Sequence, residues 1–305
     1  MITYQHKDLL RFYFRILGEL IILPFLCLWE QVKKLISSKN KLEVKRTRKK
    51  IDTSHIKINV HEWGGYPLVR EKKVNVIPKF NCGLRFQLER FTSIKNIHTD
   101  LYVTISDIDM YEDLAYVKSK SKEIISVSNI GMDFSGYAAF YEKVKDDVDS
   151  YIILSNSSVN SIQTDFLEGY LDYMDKNLDV GILGISYSGK MRQTLVRNNF
   201  TPHLQSFFLL TTTSLLREIV DANGGKFPGS DISHKLLLIR EGEIKISQIA
   251  LKLGYNLAVV LEDGNVAKFG NNSKWDNGYN RWNLYNDDVR LVNKIPNLIN
   301  PILRN

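Results

Sequence analysis

Two short runs of aliphatic and β-branched residues, Ile124–Val127 and Tyr151–Leu154, each stop abruptly at small polar residues, and this pattern constrains the fold more than any other feature of the chain. Strands that are apolar throughout are covered on both faces, which is the habit of parallel sheets joined by helical crossovers. The same alternation recurs along the chain. Asp100–Ser106, Val180–Ile185 and Ala258–Leu261 read as further strands, and Asp109–Ser121, Thr164–Lys176 and Ser214–Ala222 as helices. The spacing predicts an α/β fold: a mostly parallel, Rossmann-like sheet flanked by helices. Ligands of such sheets sit beyond the carboxyl ends of the strands. The loops expected there carry Asn129, Gly131, Asp133 and Gly136 in one, and Asn156, Ser157 and Ser158 in the other, side chains suited to phosphates and hydroxyls.

The net charge of +7 suggests nucleic acid until it is divided along the chain. Residues 1–50 hold 12 of the 41 Lys and Arg against 4 of the 34 Asp and Glu, which leaves 29 against 30 for the remainder. A nucleic-acid groove needs its charge on the folded body, so that class is set aside. Within residues 1–50, the apolar segment Leu9–Trp29 is interrupted by Arg11, Arg15, Glu19 and Pro24, and its longest uncharged run is too short for the about 20 residues that a crossing requires. A polybasic stretch from Lys33 to Lys50 follows. The expectation is an amphipathic, apolar helical extension lying in the plane of an anionic membrane surface or shallowly re-entrant in it, peripheral or monotopic, on the cytoplasmic side of the inner membrane. The alternative is a helix packed on the protein's own core. Residues 51–305 are read as one domain. Cys27 and Cys82 are isolated, with neither a disulfide framework nor a metal cluster around them.

Residues 51–99 carry weaker signals: alternation over Ile56–Val60 for a strand, a turn at Gly64–Pro67, and a short strand over Val74–Ile77. Two motifs invite over-reading. Asp107 and Asp109 spell a carboxylate pair of the kind that holds a divalent cation, but Asp109 with Glu112 also fits a capping box at a helix start. Gly184–Lys190 matches GxxxxGK after a strand, but Met191 stands where a P-loop needs Ser or Thr to ligate Mg²⁺.

Four patterns occur in order: N-x-G-x-D at Asn129–Asp133, Asn156-Ser157-Ser158 at a strand end, HLQSFFL from His203 to Leu209, and EIKIS from Glu243 to Ser247. In this order and spacing the chain resembles the rhamnan synthesis F-like glycosyltransferases over roughly residues 98–265. The resemblance implies a GT-A-like fold and inverting transfer of a sugar, a rhamnose or another deoxyhexose or hexose, from a nucleotide-sugar donor to a polysaccharide or lipid-linked glycan, with a glutamate as general base. It implies that Asn129, Gly131 and Asp133 lie against the nucleoside, Asn156 and Ser158 near the diphosphate, and His203 and Gln205 in the sugar or acceptor pocket. Glu243 stands where the family has its acid, with Glu241 as the competing general base. The family pattern at the strand end is Asn-Asp-Ser. Ser157 replaces that acid, so dependence on Mn²⁺ or Mg²⁺ is left open, and Lys190 or Arg192 could meet the phosphate charge instead. Two other classes remain: a P-loop kinase or sulfotransferase built on Gly184–Lys190, and a non-catalytic scaffold of polysaccharide assembly. The tail segment Asn271–Trp282, rich in tryptophan, tyrosine and asparagine, offers surfaces on which sugars could stack.

Overall fold

The computed structural model describes residues 6–18, 20, 21, 25, 46–74, 77–190, 200–270 and 295–303. Cys27, the lysines from Lys33 to Lys45, Arg192 and the aromatic segment Asn271–Trp282 lie outside them. Residues 6–18 form a helix, α1. The body opens with β1 (His55–Trp63), the antiparallel pair β2 (Arg70–Val74) and β3 (Ile77–Cys82), α2 (Leu84–Thr92), β4 (His98–Ser106), a 3-10 turn (Ile108–Met110), α3 (Leu114–Lys120) and β5 (Glu123–Val127). It continues with α4 (Asp133–Val144), β6 (Tyr151–Asn156), α5 (Leu167–Lys176), β7 (Val180–Gly184), the pair β8 (Tyr187–Lys190) and β9 (Phe200–Leu204), and β10 (Phe208–Thr212). Last come α6 (Thr213–Ala222), a helix made of α7 (Lys235–Leu238), a π segment (Ile239–Ile244) and α8 (Lys245–Lys252), and the strands β11 (Asn256–Val260) and β12 (Val266–Phe269).

Eight strands form one sheet in the order β12-β11-β7-β10-β6-β1-β4-β5. The pairings β1 with β4, β1 with β6, β4 with β5, and β7 with β11 are parallel, while β10 and the edge strand β12 run antiparallel to their neighbours. This is the mostly parallel α/β sheet that the apolar runs predict. Strand β6 shows why: Ile152 and Leu154 pack with Tyr137 and Phe140 on one face, and Tyr151 and Ile153 with Leu88 and Tyr170 on the other. The run Ile124–Val127 reads as equally buried, yet β5 is an edge strand and its residues stay partly exposed.

Strand β1 is central. Ile56, Ile58 and Val60 enter the core on the α2 side, and the alternating Lys57, Asn59 and His61 are also buried, on the face covered by α4. Each finds a polar partner there, as buried polar groups must. Lys57 Nζ donates to Asp147 at 2.6 Å, Asn59 Nδ2 to Thr104 Oγ1 at 3.2 Å, and His61 Nδ1 lies 3.1 Å from the same hydroxyl. Burial pushes the His61 pKa down, with the nearby Asp133 charge opposing it, so the ring is held toward its neutral form. Helix α4 comes this close because position 136 has no side chain: a Cβ there would overlap His61 Nδ1 and Thr104 Oγ1.

Three local expectations are corrected. Val74–Ile77 is not one strand; Val74 ends β2 and Ile77 begins β3, and the two residues pair with each other. The helix expected over Asp109–Ser121 is a 3-10 turn followed by α3, whose cap residue Asp113 makes no side-chain capping bond, so the Asp109–Glu112 capping box is not formed. The GxxxxGK segment is not a phosphate loop. After Gly184 the chain enters β8, which pairs antiparallel with β9, so the turn into a helix that a P-loop requires is replaced by a strand.

Gly136→Ala decides whether the α4 contact is as tight as described. Helix propensity alone would stabilise the substitution by about 1 kcal/mol. Overlap with His61 and Thr104 should reverse the sign and destabilise by about 1–3 kcal/mol, measured by urea denaturation. A more stable variant would contradict the packing.

Candidate functional site

From β1 the chain builds outward to β4 and β5, then returns along α4 to β6 on the other side of β1. The winding therefore reverses between β1 and β6, and the crevice beyond their carboxyl ends is the topological switch point at which open α/β sheets bind ligands. Both loops singled out in the sequence open onto this edge.

The loop after β5 ends in Met132, held at φ 48° and ψ −129°, a conformation that costs a non-glycine residue about 1–3 kcal/mol and tends to persist at functional sites. It turns the chain so that Asp133 becomes the first residue of α4, where the helix dipole favours negative charge. Asn156 Nδ2, at the end of β6, donates to Asp133 Oδ2 at 2.6 Å and so joins the two loops. Neither Asn129 nor Gly131 lines the cavity at this edge. Asn129 Oδ1 accepts from Ser106 Oγ at 3.4 Å, and Gly131 packs so closely on the Ser230 backbone that a Cβ would clash.

In the second loop, Asn156 and Ser158 face the crevice and Ser157 turns inward. Ser157 Oγ donates to Glu62 Oε1 and accepts from Arg70 Nη2, both at 2.6 Å, while Arg70 Nη1 lies 3.0 Å from Glu62 Oε2 and the Trp63 N–H donates to Glu62 Oε1 at 3.0 Å. Arg70 also stacks 4.0 Å over the Tyr66 ring. Burial pushes the Glu62 carboxyl above its usual range, opposed by Arg70 and Ser157. This enclosed pair ties the end of β1 to β2 and to the loop after β6.

The third wall comes from the helix containing Glu243. Sequence reasoning expects a helix start at Glu243, but the residue lies inside the π segment between α7 and α8, an irregularity often found at functional sites. Glu243 Oε2 accepts from the Ser206 N–H and hydroxyl, both at 2.9 Å, and Oε1 lies 3.5 Å from Nε2 of the buried His203. Burial pushes the Glu243 carboxyl up, but the bonds from His203 and Ser206 outweigh it and hold it below the usual range. Glu241, the competing acid, is directed away: it pairs with Arg15 of α1 and lies 3.4 Å from Lys245 Nζ.

These walls enclose a cavity of about 270 Å³ whose lining includes Asp133, Asn156, Ser158, Gln205 and Glu243. Asn129, Gly131, Ser157, His203 and Glu241 do not line it; Asn129 is exposed, Gly131 packs on the Ser230 backbone, Ser157 is engaged with Glu62 and Arg70, and His203 lies against Glu243. Sequence reasoning missed Lys72, Lys235 and Asn297, which also line the cavity. Lys72 comes from the β2–β3 pair and Asn297 from a tail segment whose side-chain amide donates to Ser158 O at 2.9 Å. No local pattern marks either of them, because each is placed by chain folded back from a distant part of the sequence. A larger hollow of about 500 Å³ between the end of α2 and the start of α5 contains none of these residues.

Among the described residues no three carboxylate or imidazole groups gather at the cavity to clamp a divalent cation; Asp133 and Glu243 are its two acidic lining residues. Position 157 is a serine engaged with Glu62 and Arg70, Asp107 accepts from Trp63 Nε1 at 2.9 Å, and neither Asp107 nor Asp109 lines the cavity. Among the described residues the one group with metal-ligating geometry is His55, His98 and Asp100, and Lys122 Nζ lies 2.7 Å from its carboxylate. It sits at the opposite, amino-terminal end of β1 and β4. Comparison with protein-family models finds no match, and comparison with curated proteins finds none.

The lowered pKa of Glu243 gives a signed expectation. Its stabilising contribution is complete above the ordinary value of 4.5 and is lost as the pH falls through that value toward the depressed folded one. Glu243→Gln should therefore cost about 2 kcal/mol at pH 7, the scale of hydrogen bonds to a charged group, and the gap to wild type should narrow below pH 4.5 in urea titrations. A gap that is constant with pH would remove the charged hydrogen bonds from the account.

Proposed function

We propose that this chain is a glycosyltransferase with a GT-A-like fold, related to the rhamnan synthesis F-like enzymes, that moves a sugar from a nucleotide-sugar donor to a glycan acceptor. The observation that carries this is the convergence of Asp133, Asn156, Ser158, Gln205 and Glu243 on one cavity at the switch point, joined there by Lys72 and Lys235. Amides and hydroxyls match sugar hydroxyls, and lysines match phosphate. The amino terminus of α4 adds a positive dipole end at the same place. A mostly parallel sheet with one antiparallel strand inside it is compatible with the GT-A-like assignment. The P-loop alternative loses its support with the β8–β9 pairing.

In this reading the diphosphate lies between Lys72, Lys235 and the start of α4, with Asn156 and Ser158 donating to its oxygens. Gln205 contacts the sugar. The acceptor hydroxyl attacks C1 as the C1–O bond to the diphosphate breaks, electrons leave with the diphosphate, and a cavity carboxylate takes the hydroxyl proton. Glu243 is assigned that role: it is ionised through the neutral range, and its site behind Ser206 fixes it against the cavity. The low proton affinity set by His203 makes it a weak base, which suits a hydroxyl that grows acidic as its bond to C1 forms. A screen of UDP-, dTDP- and GDP-sugars for nucleotide release should find one donor class that is turned over. With that donor, Glu243→Gln should lose at least about a hundredfold in turnover with donor affinity retained. Equal turnover by the variant would remove Glu243 from the chemistry, and no release with any donor would remove the enzyme.

A further inference from the structure

Helix α1 has two opposite faces. At about 100° per residue, Asp8, Phe12 and Arg15 share one side, and Leu10, Tyr13, Phe14 and Leu17 the other, with Ile21 continuing that line. The first face is clamped to the body: Asp8 Oδ2 accepts from the Ser233 N–H at 2.8 Å and its hydroxyl at 2.9 Å, Phe12 is buried with its ring 5.1 Å from that of His234, and Arg15 pairs with Glu241. The second face is bare: Leu10 is 51% exposed, Tyr13 61%, Phe14 70%, Leu17 54% and Ile21 67%. A helix already satisfied on its body side has no core left in which to bury this stripe.

The surrounding charge says what covers it. Lys7 and Arg11 are exposed on the flank of the stripe, and residues 1–50 carry 12 Lys and Arg against 4 Asp and Glu while the rest of the chain is nearly neutral. An apolar stripe edged with basic residues is the composition of a helix lying in an anionic lipid interface, its long cationic side chains reaching the headgroups. Among the described residues no helix is long and apolar enough to cross a membrane. The clamp also fixes where the lipid lies relative to the cavity. Its contacts, Ser233, His234 and Glu241, alternate along the chain with Lys235, Leu238, Ile239 and Glu243, which line the cavity.

We propose that α1 seats the body on an anionic lipid surface with the cavity mouth beside it, and, resting on the glycosyltransferase reading, that the acceptor is a glycan carried by lipid. Flotation of the full chain with phosphatidylcholine vesicles, alone or with phosphatidylglycerol, tests the seat without needing turnover or donor binding. Wild type should float with the anionic vesicles and release in high salt. The double variant Phe14→Glu, Leu17→Glu alters only exposed positions, so it should keep the wild-type melting temperature while its bound fraction falls at least about tenfold. Wild type left at the bottom of the gradient, or a variant that floats equally well, would overturn the proposal. So would a dimer in sedimentation that the double variant dissociates, which would assign the stripe to a second copy. Because flotation involves no donor, a failed seat leaves the glycosyltransferase reading standing, and a failed donor screen leaves the seat standing.

Discussion

The close seat of α4 on β1 and β4 is the contact on which the cleft depends. Gly136 lets the helix reach His61 and Thr104, and that depth brings Asp133 within hydrogen-bond distance of Asn156 across the reversal in strand order. A helix standing off by the width of a methyl group would separate the two loops. The face of β1 beneath it is polar and satisfied by its neighbours: Lys57 bonds Asp147 just beyond α4, and Asn59 and His61 meet Thr104 of β4. A switch point, a bare glycine and a strained Met132 thus have one consequence, a carboxylate held at a helix start beside the end of the central parallel strands.

The Glu62–Arg70–Ser157 group plays the matching part from below. A buried ion pair costs about as much in desolvation as it returns in attraction unless further hydrogen bonds complete it. Here the Trp63 N–H and the Ser157 hydroxyl complete it, and the result fixes the loop after β6 to the β2–β3 pair that carries Lys72. Ser157 is therefore a structural partner of Glu62 and Arg70. Lys72 and Lys235 supply the positive charge on the cavity wall, and the carboxylates on that wall are each held by a donor, Asp133 by Asn156 and Glu243 by Ser206.

Much of this was legible in the sequence, for physical reasons that also mark its limit. Apolar runs such as Tyr151–Leu154 announce strands buried on both faces, and small polar residues at their ends mark the candidate edge, so both loops could be named from local pattern, whereas Glu243 is reached only through the family resemblance. Burial could not. Ile56–Val60 alternates like a strand with one face in water, yet its polar face lies under α4, and Ile124–Val127 looks fully buried yet forms an edge. Within the loops, which residue faces the cavity depends on side-chain direction: Ser157 and Glu241 point elsewhere while their neighbours Ser158 and Glu243 line it. Lys72 and Asn297 arrive from distant segments and leave no local trace. The π segment is also invisible to periodicity, because it re-aims Glu243 within what reads as a helix start.

The central claim is that the two loops and the π segment form a single donor site. A crystal structure with a bound nucleoside diphosphate sugar tests it most directly. The account predicts donor density in the 270 Å³ cavity, its diphosphate between Lys72 and Lys235 and its sugar within reach of Gln205 and Glu243. A donor bound in the hollow between α2 and α5, or anywhere that leaves Asp133, Asn156 and Glu243 untouched, would contradict it.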